Sequence, residues 1–214
     1  MAGGSEEILR LGVLISGGGT TLQNLAEVAA RGEMPARVAC VIASNPKAYG
    51  LVRAAKLGLP AYSIVRKEYP TVEAFSEALT EPLRRHDVDL VCMAGFLALW
   101  RIPEEWTHPP RVMNIHPALI PKFCGQGMHG QHVHEAVLAA GAQVSGCTVH
   151  FADNQYDHGP IILQRTCPVL PGDTADSLAA RVFEQECLAY PEAIRLFAAG
   201  RLQLTGPQVV VLPT

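Results

Sequence analysis

Apolar runs of strand length alternate with longer amphipathic segments along the first half of the chain. The apolar runs cover residues 8–16, 37–44 and 88–95. The segments with helical spacing lie near residues 20–31, 47–57 and 71–86. Strands that are apolar throughout and separated by helices are typical of a parallel sheet with helices on both faces. The pattern therefore predicts a Rossmann-like α/β fold built on a mostly parallel, twisted sheet.

The second half of the chain predicts further strands, a long helix and a terminal hairpin. The strands are 111–116, 143–151 and 160–169, and the hairpin covers 201–213. A polar turn joins the two longer strands, which we expect to pair with each other. The helix runs from Thr174 to Ala199, because it follows the cap-like sequence GDTADS and ends before Gly200.

Composition and charge narrow the class of protein. No linker rich in Pro, Gly or Ser interrupts the chain, so we expect residues 8–214 to form a single domain after a frayed terminus, residues 1–7. Hydrophobic residues make up 49% of the 214 positions, and the net charge of -3 provides no basic field for a nucleic acid. The apolar run 90–100 is shorter than the roughly 18 residues that span a bilayer. We expect a cytoplasmic monomer or homodimer that acts on small molecules, with no nucleic-acid or membrane partner.

An amide, an imidazole and a carboxylate stand at the ends of two predicted strands. Asn114 and His116 lie two residues apart in an extended segment that ends at Pro117, so both side chains project from one side of the backbone. Asp157 lies in the polar turn before the next strand, from where it could orient the imidazole. These groups predict a proton-transfer centre. The same residue types are common in turns, however, and a lone His-Pro pair is more often structural than catalytic.

Three glycines, Gly17 to Gly19, connect the first predicted strand to the first helix. If Thr20 is the N-cap, backbone N–H groups and the positive end of the helix form an anion site that glycine opens to a phosphate. The loop matches neither common nucleotide motif, because Leu22 replaces the third glycine of G-x-G-x-x-G and no Lys follows as in a Walker loop. A tight turn without a ligand is the alternative.

Several segments of the sequence resemble the formyltransferase family. They are LISGGGTTLQNL, AGFLALW, NIHPALIP and HFADNQYDHGPIILQ, and the resemblance extends from about residue 9 to about residue 204. It implies a Rossmann-like formyltransferase domain that transfers the formyl group of its co-substrate, 10-formyltetrahydrofolate, to the amine of glycinamide ribonucleotide, without a metal. In that reaction Asn114 donates a hydrogen bond to the developing oxyanion, His116 assists proton movement, and Asp157 tunes the pKa of His116.

The resemblance also assigns residues to the two ligands. It implies that the substrate phosphate binds to Gly18, Gly19, Thr20 and Thr21. It implies that the folate binds to Leu97, Ala98, Leu99 and Trp100. Glu186 corresponds to a family position that contacts the ribonucleotide, although an isolated Glu on an amphipathic helix is otherwise a solvated surface residue. Burial of Trp100 at an apolar strand end is likewise an alternative to folate binding.

Three positions depart from the family pattern. Thr21 stands where the family usually has Asn, and Val72 and Ala98 stand where it often has Arg. A cation for the phosphate must therefore come from elsewhere, and Arg66 and Lys67 are the candidates. The departures favour an alternative function as a non-catalytic folate- or nucleotide-binding module. A related folate-dependent formyltransferase or hydrolase with a different acceptor is a further alternative.

Four histidines lie near the predicted site in sequence. His150 is predicted to support the carboxylate, to contact substrate, or to be a hydrogen-bonded strand residue. His129, His132 and His134 crowd a glycine-rich segment, where a zinc site is conceivable. If a helix starts near Gly130, however, His132 and His134 face different sides. We therefore expect a mobile loop that closes over the folate, and no metal site.

Overall fold

The computed structural model describes residues 8–213, which form a seven-stranded sheet and a separate two-stranded hairpin. The predicted frayed terminus, residues 1–7, lies outside the described residues. The strands are β1 (Leu9–Ile15), β2 (Ala36–Ala43), β3 (Ala61–Ser63), β4 (Leu90–Met93), β5 (Val112–His116), β6 (Val144–Phe151), β7 (Ile161–Pro168), β8 (Leu202–Thr205) and β9 (Gln208–Val211). The helices are α1 (Thr20–Ala30), α2 (Tyr49–Lys56), α3 (Val72–Arg85), α4 (Glu104–Thr107), α5 (Gln131–Ala139) and α6 (Ala175–Ala198).

The order of strands in the large sheet is β3-β2-β1-β4-β5-β6-β7. Strands β1 to β5 pair in parallel, whereas β6 and β7 join the sheet antiparallel. The predicted mostly parallel α/β fold is therefore confirmed. The chain builds outward from β1 to β3 and then returns to the other side of β1 at β4. Ligands of such sheets bind beyond the carboxyl ends of the strands where the order reverses.

The central strand β1 shows how the core holds the carboxyl ends of the strands in place. Leu11, Val13 and Ile15 pack into a core under α1 and α6, whereas Leu14 packs into a second core under α3. All four side chains are fully buried, because successive residues of a strand face opposite sides of the sheet. Complete burial of such a side chain contributes about 1.5–3 kcal/mol. The strand ends at which the loops after β1, β4 and β5 begin are thus fixed by packing in the core.

Tyr190 ties α6 to the ends of two neighbouring strands. Its ring is fully buried, and its hydroxyl lies 3.1 Å from the carbonyl oxygen of Met93 and 2.9 Å from that of Met113. These carbonyls precede Ala94 and Asn114, so the tyrosine fixes the points at which β4 and β5 enter the candidate site. A buried hydroxyl between two carbonyls is costly to remove, because its single O–H is the donor that the two acceptors share.

The four helices α1, α2, α3 and α6 have boundaries within two residues of those predicted, α4 was not predicted, and the N-cap of α1 differs from the prediction. Thr20 is the first helical residue and not the N-cap, which is Gly19 in the left-handed conformation with φ 71°. The N-cap prediction was wrong because the loop turns too tightly here for a residue with a side chain. At α6 the predicted cap is confirmed: Thr174 and Ser177 form a capping box. None of the helices within residues 8–213 is long and apolar enough to cross a membrane.

Candidate active site

A cavity of about 740 Å³ opens at the carboxyl ends of β1, β4 and β5. Its walls come from the glycine loop after β1, the segments that follow β4 and β5, residues 125–130, and the inner face of α6. It brings together most of the residues that the sequence singled out. Those that line it are Gly18, Gly19, Thr20, Thr21, Leu97, Asn114, His116, Asp157 and Glu186. Because β4 separates β1 from β5, the glycine loop lies about 10 Å from the end of β5.

The predicted amide, imidazole and carboxylate are in direct contact. Asn114 and His116 lie on β5, and Asp157 reaches them from the loop between β6 and β7. Oδ1 of Asp157 accepts a hydrogen bond from Nδ2 of Asn114 at 3.2 Å, and its Oδ2 lies 3.4 Å from Nδ1 of His116. Asp157 has a φ of 51°, a left-handed conformation that Asp adopts more readily than most residues. The carboxylate thus bridges the two β5 side chains.

His150 holds the amide of Asn114 from the neighbouring strand. The two residues are paired across the antiparallel β5 and β6, and His150 is 1% exposed. Its Nδ1 lies 2.8 Å from the carbonyl oxygen of Phe151, which can only accept, so Nδ1 carries the proton. Nε2 is then the acceptor for Nδ2 of Asn114 at 3.1 Å. His150 is thus a hydrogen-bonded strand residue that holds Asn114 and not the carboxylate, while its contact with substrate stays a prediction. Both amide hydrogens of Asn114 are engaged.

Both ring nitrogens of His116 also face protein groups. Nε2 donates to the carbonyl oxygen of Phe123 at 2.7 Å, while Nδ1 faces Asp157. Burial is the main cause of the lowered pKa of His116, and the charge of Asp157 and the bond to Phe123 oppose it in part. The neutral imidazole is therefore favoured near neutral pH, and its unprotonated Nδ1 points at a carboxylate that would stabilise an added proton.

Asp157 is ionised despite its burial. Burial on its own would raise the pKa of this carboxyl, but the neighbouring His150 and His116 and the hydrogen bond from the backbone of Gly125 outweigh it, so the pKa is lowered. The backbone N–H of Gly125 donates to Oδ2 at 2.9 Å. Phe123 and Gly125 belong to the glycine-rich segment after β5, so this segment contacts both His116 and Asp157. Its predicted mobility stays a prediction, but any motion would free hydrogen-bonding positions on two central residues.

The glycine loop turns its carbonyl groups away from the cavity. The carbonyl oxygen of Gly17 accepts from the N–H of Gly50 on α2 at 3.1 Å, and that of Gly19 accepts from Gln23 on α1 at 3.0 Å. In a trans peptide the N–H points opposite to the C=O. In the part of the chain that the structure describes, the N–H groups of Gly18, Gly19 and Thr20 have no acceptor. This arrangement can bind an anion such as a phosphate.

Neither cation proposed for the phosphate lies at the loop. Nη1 of Arg66 donates to the carbonyl oxygen of Tyr69 at 2.8 Å, and neither Arg66 nor Lys67 lines the cavity. The position of the family arginine, Val72, is the first residue of α3. The structure therefore does not support the expectation that Arg66 or Lys67 replaces that arginine.

The four residues assigned to the folate occupy two adjoining spaces. Leu97 lines the large cavity and is 48% exposed. Ala98, Leu99 and Trp100 line a neighbouring pocket of about 60 Å³ together with His150. The Trp100 ring is buried, and its Nε1 donates to Oγ1 of the buried Thr80 at 3.2 Å. Packing in the core is thus one role of Trp100, whereas its contact with folate stays a prediction.

Glu186 reaches the cavity from α6. The residue is partly buried, and burial raises the pKa of its carboxyl to about 7. No hydrogen bond or ion pair joins the carboxyl to another residue between 8 and 213. A carboxylate of this kind can accept hydrogen bonds from ligand hydroxyl or amine groups. The alternative interpretation as a solvated surface residue does not fit this position.

The three loop histidines do not form one group. His129 and His132 have ring centroids 5.8 Å apart, and the side chain of His132 is 68% exposed. His134 is 5% exposed, lines the cavity, and has an unpaired Nδ1. Burial is the main cause of the lowered pKa of His134, and the nearby His116 lowers it further. The predicted difference between His132 and His134 is confirmed, and residues 8–213 contain no cluster of three potential metal ligands. The absence of a metal in solution stays a prediction.

Sequence reasoning placed His134 only in a loop expected to close over the folate, and it did not identify Tyr156 or Phe183 as wall residues of the cavity. For His134 a signal was present, since Val133 and Val137 mark the buried face of α5 next to it. Tyr156 lies in the loop before Asp157, is 45% exposed and also lines the smaller pocket. Its position depends on the path of an irregular loop, which residue spacing does not predict.

Comparison with known proteins extends these observations. A family model described as formyl transferase matches residues 9–194. The chain is 35% identical over 195 residues to phosphoribosylglycinamide formyltransferase of Haemophilus influenzae, a match that covers 91% of this chain and 90% of that protein. The structure resembles glycinamide ribonucleotide transformylase 1 from Symbiobacterium toebii, with a TM-score of 0.89, 45% identity, and coverage of 97% and 95% of the two chains.

A longer relative contains a similar region. The chain is 40% identical over 204 residues to the trifunctional purine biosynthetic protein adenosine-3 of Drosophila pseudoobscura pseudoobscura. The match covers 93% of this chain but only 14% of that protein. The family model covers most of the chain, and the loops that it spans are those that form the cavity. The chain therefore belongs to the formyl transferase family.

Proposed function

We propose that this protein transfers the formyl group of 10-formyltetrahydrofolate to the amine of glycinamide ribonucleotide, a step of purine biosynthesis. The observation that carries the proposal is the contact among Asn114, His116 and Asp157, within the same cavity as a loop with free backbone N–H groups. One part of the cavity suits proton transfer and the other suits a phosphate. The sequence relative from Haemophilus influenzae and the structural neighbour from Symbiobacterium toebii, whose names describe this transfer, support the choice of this acceptor.

In the proposed reaction the amine attacks the formyl carbon and the carbonyl oxygen becomes an oxyanion. Asn114 stabilises this oxygen with the side-chain N–H that in this structure donates to Asp157, while its second N–H stays on His150. The oxyanion accepts the hydrogen bond that Asn114 now donates to Asp157, and the carboxylate accepts instead from a water molecule that relays the amine proton. A donor of this type typically contributes about 3 kcal/mol to transition-state stabilisation.

The second half of the reaction breaks the bond between the formyl carbon and the folate nitrogen. The folate nitrogen must gain a proton as the amine loses one, so the net change is a proton shuttle. His116, which is neutral in the resting protein, accepts the amine proton at Nδ1, where Asp157 lies 3.4 Å away, and returns it through the same water to the folate nitrogen as the C–N bond breaks. Glu186 and the glycine loop hold the ribonucleotide, while Leu97, Ala98, Leu99 and Trp100 hold the folate. The protein is proposed to act in the cytoplasm as a single domain, residues 8–214, without a metal.

The test is a reconstitution with purified protein and both substrates. We expect formylated ribonucleotide and tetrahydrofolate to form in equal amounts. Omitting the ribonucleotide separates the alternatives: a hydrolase would still release formate, and a non-catalytic module would bind folate without turnover. A panel of other small amines tests the acceptor. Equal rates with glycinamide ribonucleotide and with an amine that lacks phosphate would contradict the proposed acceptor.

A further inference from the structure

Arg53 is a cation that is hydrogen-bonded to the glycine loop. It lies on α2, and its Nε donates to the carbonyl oxygen of Gly18 at 2.9 Å. Its guanidinium carbon lies 5.2 Å from the ring centroid of Tyr49, one turn earlier on the same helix. The tyrosine and the loop carbonyl therefore hold the planar group in a defined place.

The rest of the Arg53 guanidinium is free. Neither terminal nitrogen forms a hydrogen bond or an ion pair with any residue in the range 8–213. Arginines elsewhere, such as Arg84 and Arg181, form ion pairs with carboxylates. An arginine that is held by its Nε and lacks an acidic partner keeps its positive charge available to a nearby anion.

The carbonyl that Arg53 binds occupies the middle of a three-carbonyl series. The carbonyls of Gly17 and Gly19 are held by backbone N–H groups, whereas that of Gly18 is held by a side chain. Because the N–H and C=O of a peptide point in opposite directions, fixing the Gly18 carbonyl on the α2 side aims the N–H of Gly19 away from α2. The bond to a cationic donor also polarises this peptide, which makes its N–H a better donor.

The contact is built into the packing of the loop on α2. Gly19 approaches so closely that a Cβ on it would lie 2.6 Å from the Cα of Gly50. Gly50 and Arg53 are three residues apart, so they share the face of α2 that meets the loop. Arg53 itself does not line the cavity, which places it behind the loop and not in contact with the ligand.

We infer that Arg53 is a positioning residue for the substrate phosphate, and that it supplies from α2 the positive charge that Val72 cannot supply from α3. It acts through the Gly18–Gly19 peptide and through its field. The inference rests on the proposed function for the identity of the ribonucleotide. The chemistry that it describes, recognition of a phosphate monoester by the loop, does not depend on that identity.

The test compares Arg53→Gln with Lys56→Gln, which removes the same charge one turn later on α2. We expect Arg53→Gln to raise the KM for the ribonucleotide roughly tenfold while kcat and the folate KM change less than twofold. It should also weaken the dependence of kcat/KM on salt. Arg53→Lys should recover part of the loss, because it restores the charge but not the planar Nε donor. Lys56→Gln should behave as the wild type.

Titration with ribose 5-phosphate and with inorganic phosphate makes the test independent of turnover. Weaker binding of both to Arg53→Gln than to wild type supports the inference, even if the protein forms no formylated product and the proposed function fails. Equal binding by the two proteins, or no phosphate binding by the wild type, would overturn it. A loss of folate affinity as large as the loss of phosphate affinity would also overturn it, since Arg53 would then be needed for the fold.

Discussion

The two sides of the cavity present different kinds of groups, side chains on one side and backbone N–H groups on the other. On the β5 side, Asn114, His116 and Asp157 are held by mutual hydrogen bonds and by His150. On the β1 side, the glycine loop offers backbone N–H groups, and the carbonyls behind them are fixed from α1 and α2. Side chains therefore determine proton transfer on the β5 side, whereas the direction of backbone N–H groups determines anion binding on the β1 side.

This difference indicates how each side should respond to mutation. Proton transfer depends on the charge and the pKa values of particular groups. An isosteric substitution on the β5 side that removes one titratable group can therefore stop it. Several N–H groups contribute to anion binding. Loss of one contact that orients them on the β1 side should therefore lower the affinity only in part. Substitutions on the β5 side should lower kcat, and those on the β1 side should raise the KM of one substrate.

The largest effect is expected at Asp157, which contacts every other member of the β5 centre. Asp157→Asn should lower kcat on the order of a hundredfold or more, because the substituted amide cannot accept the proton or stabilise charge on His116. The pKa of His116 should fall further below its ordinary value, since the Asp157 charge now raises it against the effect of burial. Steady-state kinetics and NMR titration of the imidazole would measure the two changes.

A matched control exists on the turn between α3 and β4. Asp87 also has a left-handed conformation, with a φ of 46°, and its side chain is 76% exposed. Asp87→Asn makes the same chemical change in the same backbone conformation, and it should leave kcat unchanged. An Asp157→Asn variant that is folded and retains near-full turnover would remove Asp157 from the mechanism and would make the contrast between the two sides untenable.

The next effect is expected at Gly19, on the β1 side. Gly19→Ala introduces a Cβ 2.6 Å from the Cα of Gly50, so the loop must shift on α2. We expect the KM for the ribonucleotide to rise roughly tenfold, with kcat and the folate KM nearly unchanged. Gly58→Ala is the control, because Gly58 has a similar φ of 67° but nothing within 4 Å of the added atom.

Calorimetric titration of each ligand, with melting temperatures of both variants, would separate the causes. Both substitutions carry the cost of a left-handed residue with a side chain, about 1–2 kcal/mol. Only Gly19→Ala should also lose phosphate affinity. Similar ligand affinities in the two variants would mean that the position of the loop does not control binding.

The two sides also differ in how far the sequence predicted them. The residue types Asn114, His116 and Asp157 carry their chemistry with them, and the end of an apolar strand predicted that two of them project together. The sheet followed from strands such as β1 that are buried on both faces. These features depend on local spacing and on residue type, which a sequence displays directly.

The remaining features depend on backbone direction and on distant pairing. The bond from His116 to the carbonyl of Phe123 and the bond from Arg53 to that of Gly18 use acceptors that every residue possesses. The sequence therefore marks neither partner. The N-cap at Thr20 was wrong for a similar reason, because the approach of Gly19 to α2 is a tertiary contact. Residue types predicted which side chains react, whereas the hydrogen bonds that position them are seen only in the folded structure.

A smaller effect is expected from the charge of Glu186, on the α6 wall between the two sides. Burial raises the pKa of its carboxyl from 4.5 to about 7 in the folded protein. The folded state thus keeps a proton that the unfolded state has lost, and the stability that this provides is present below pH 4.5 and lost as pH rises through 7. Glu186→Gln should therefore stabilise the protein at pH 8 more than at pH 4.5.

The expected difference is roughly 1 kcal/mol, because the carboxyl borders a cavity that water can enter. Urea denaturation of both proteins at the two pH values would measure it. Glu184→Gln is the control, since Glu184 lies two residues earlier on α6 and is exposed. A pH-independent difference between wild type and Glu186→Gln would show that the carboxyl is not desolvated, and ribonucleotide binding would then need another explanation.

The smallest effect is expected in the glycine-rich segment that covers the β5 side. His129 and His132 contact each other away from the buried centre, so replacing both with Gln should leave kcat unchanged and raise the folate KM less than threefold. His134→Gln should raise the folate KM more, because His134 is buried in the cavity wall whereas His129 and His132 are exposed. Treatment with a chelator should not change any of these values, since the proposed mechanism uses protein groups alone. The contrary result would be a protein that is purified with stoichiometric zinc, loses activity when the zinc is removed and regains it when the zinc is returned. That result would make this segment a metal site and would add a metal ion to the side chains and backbone groups of the cavity.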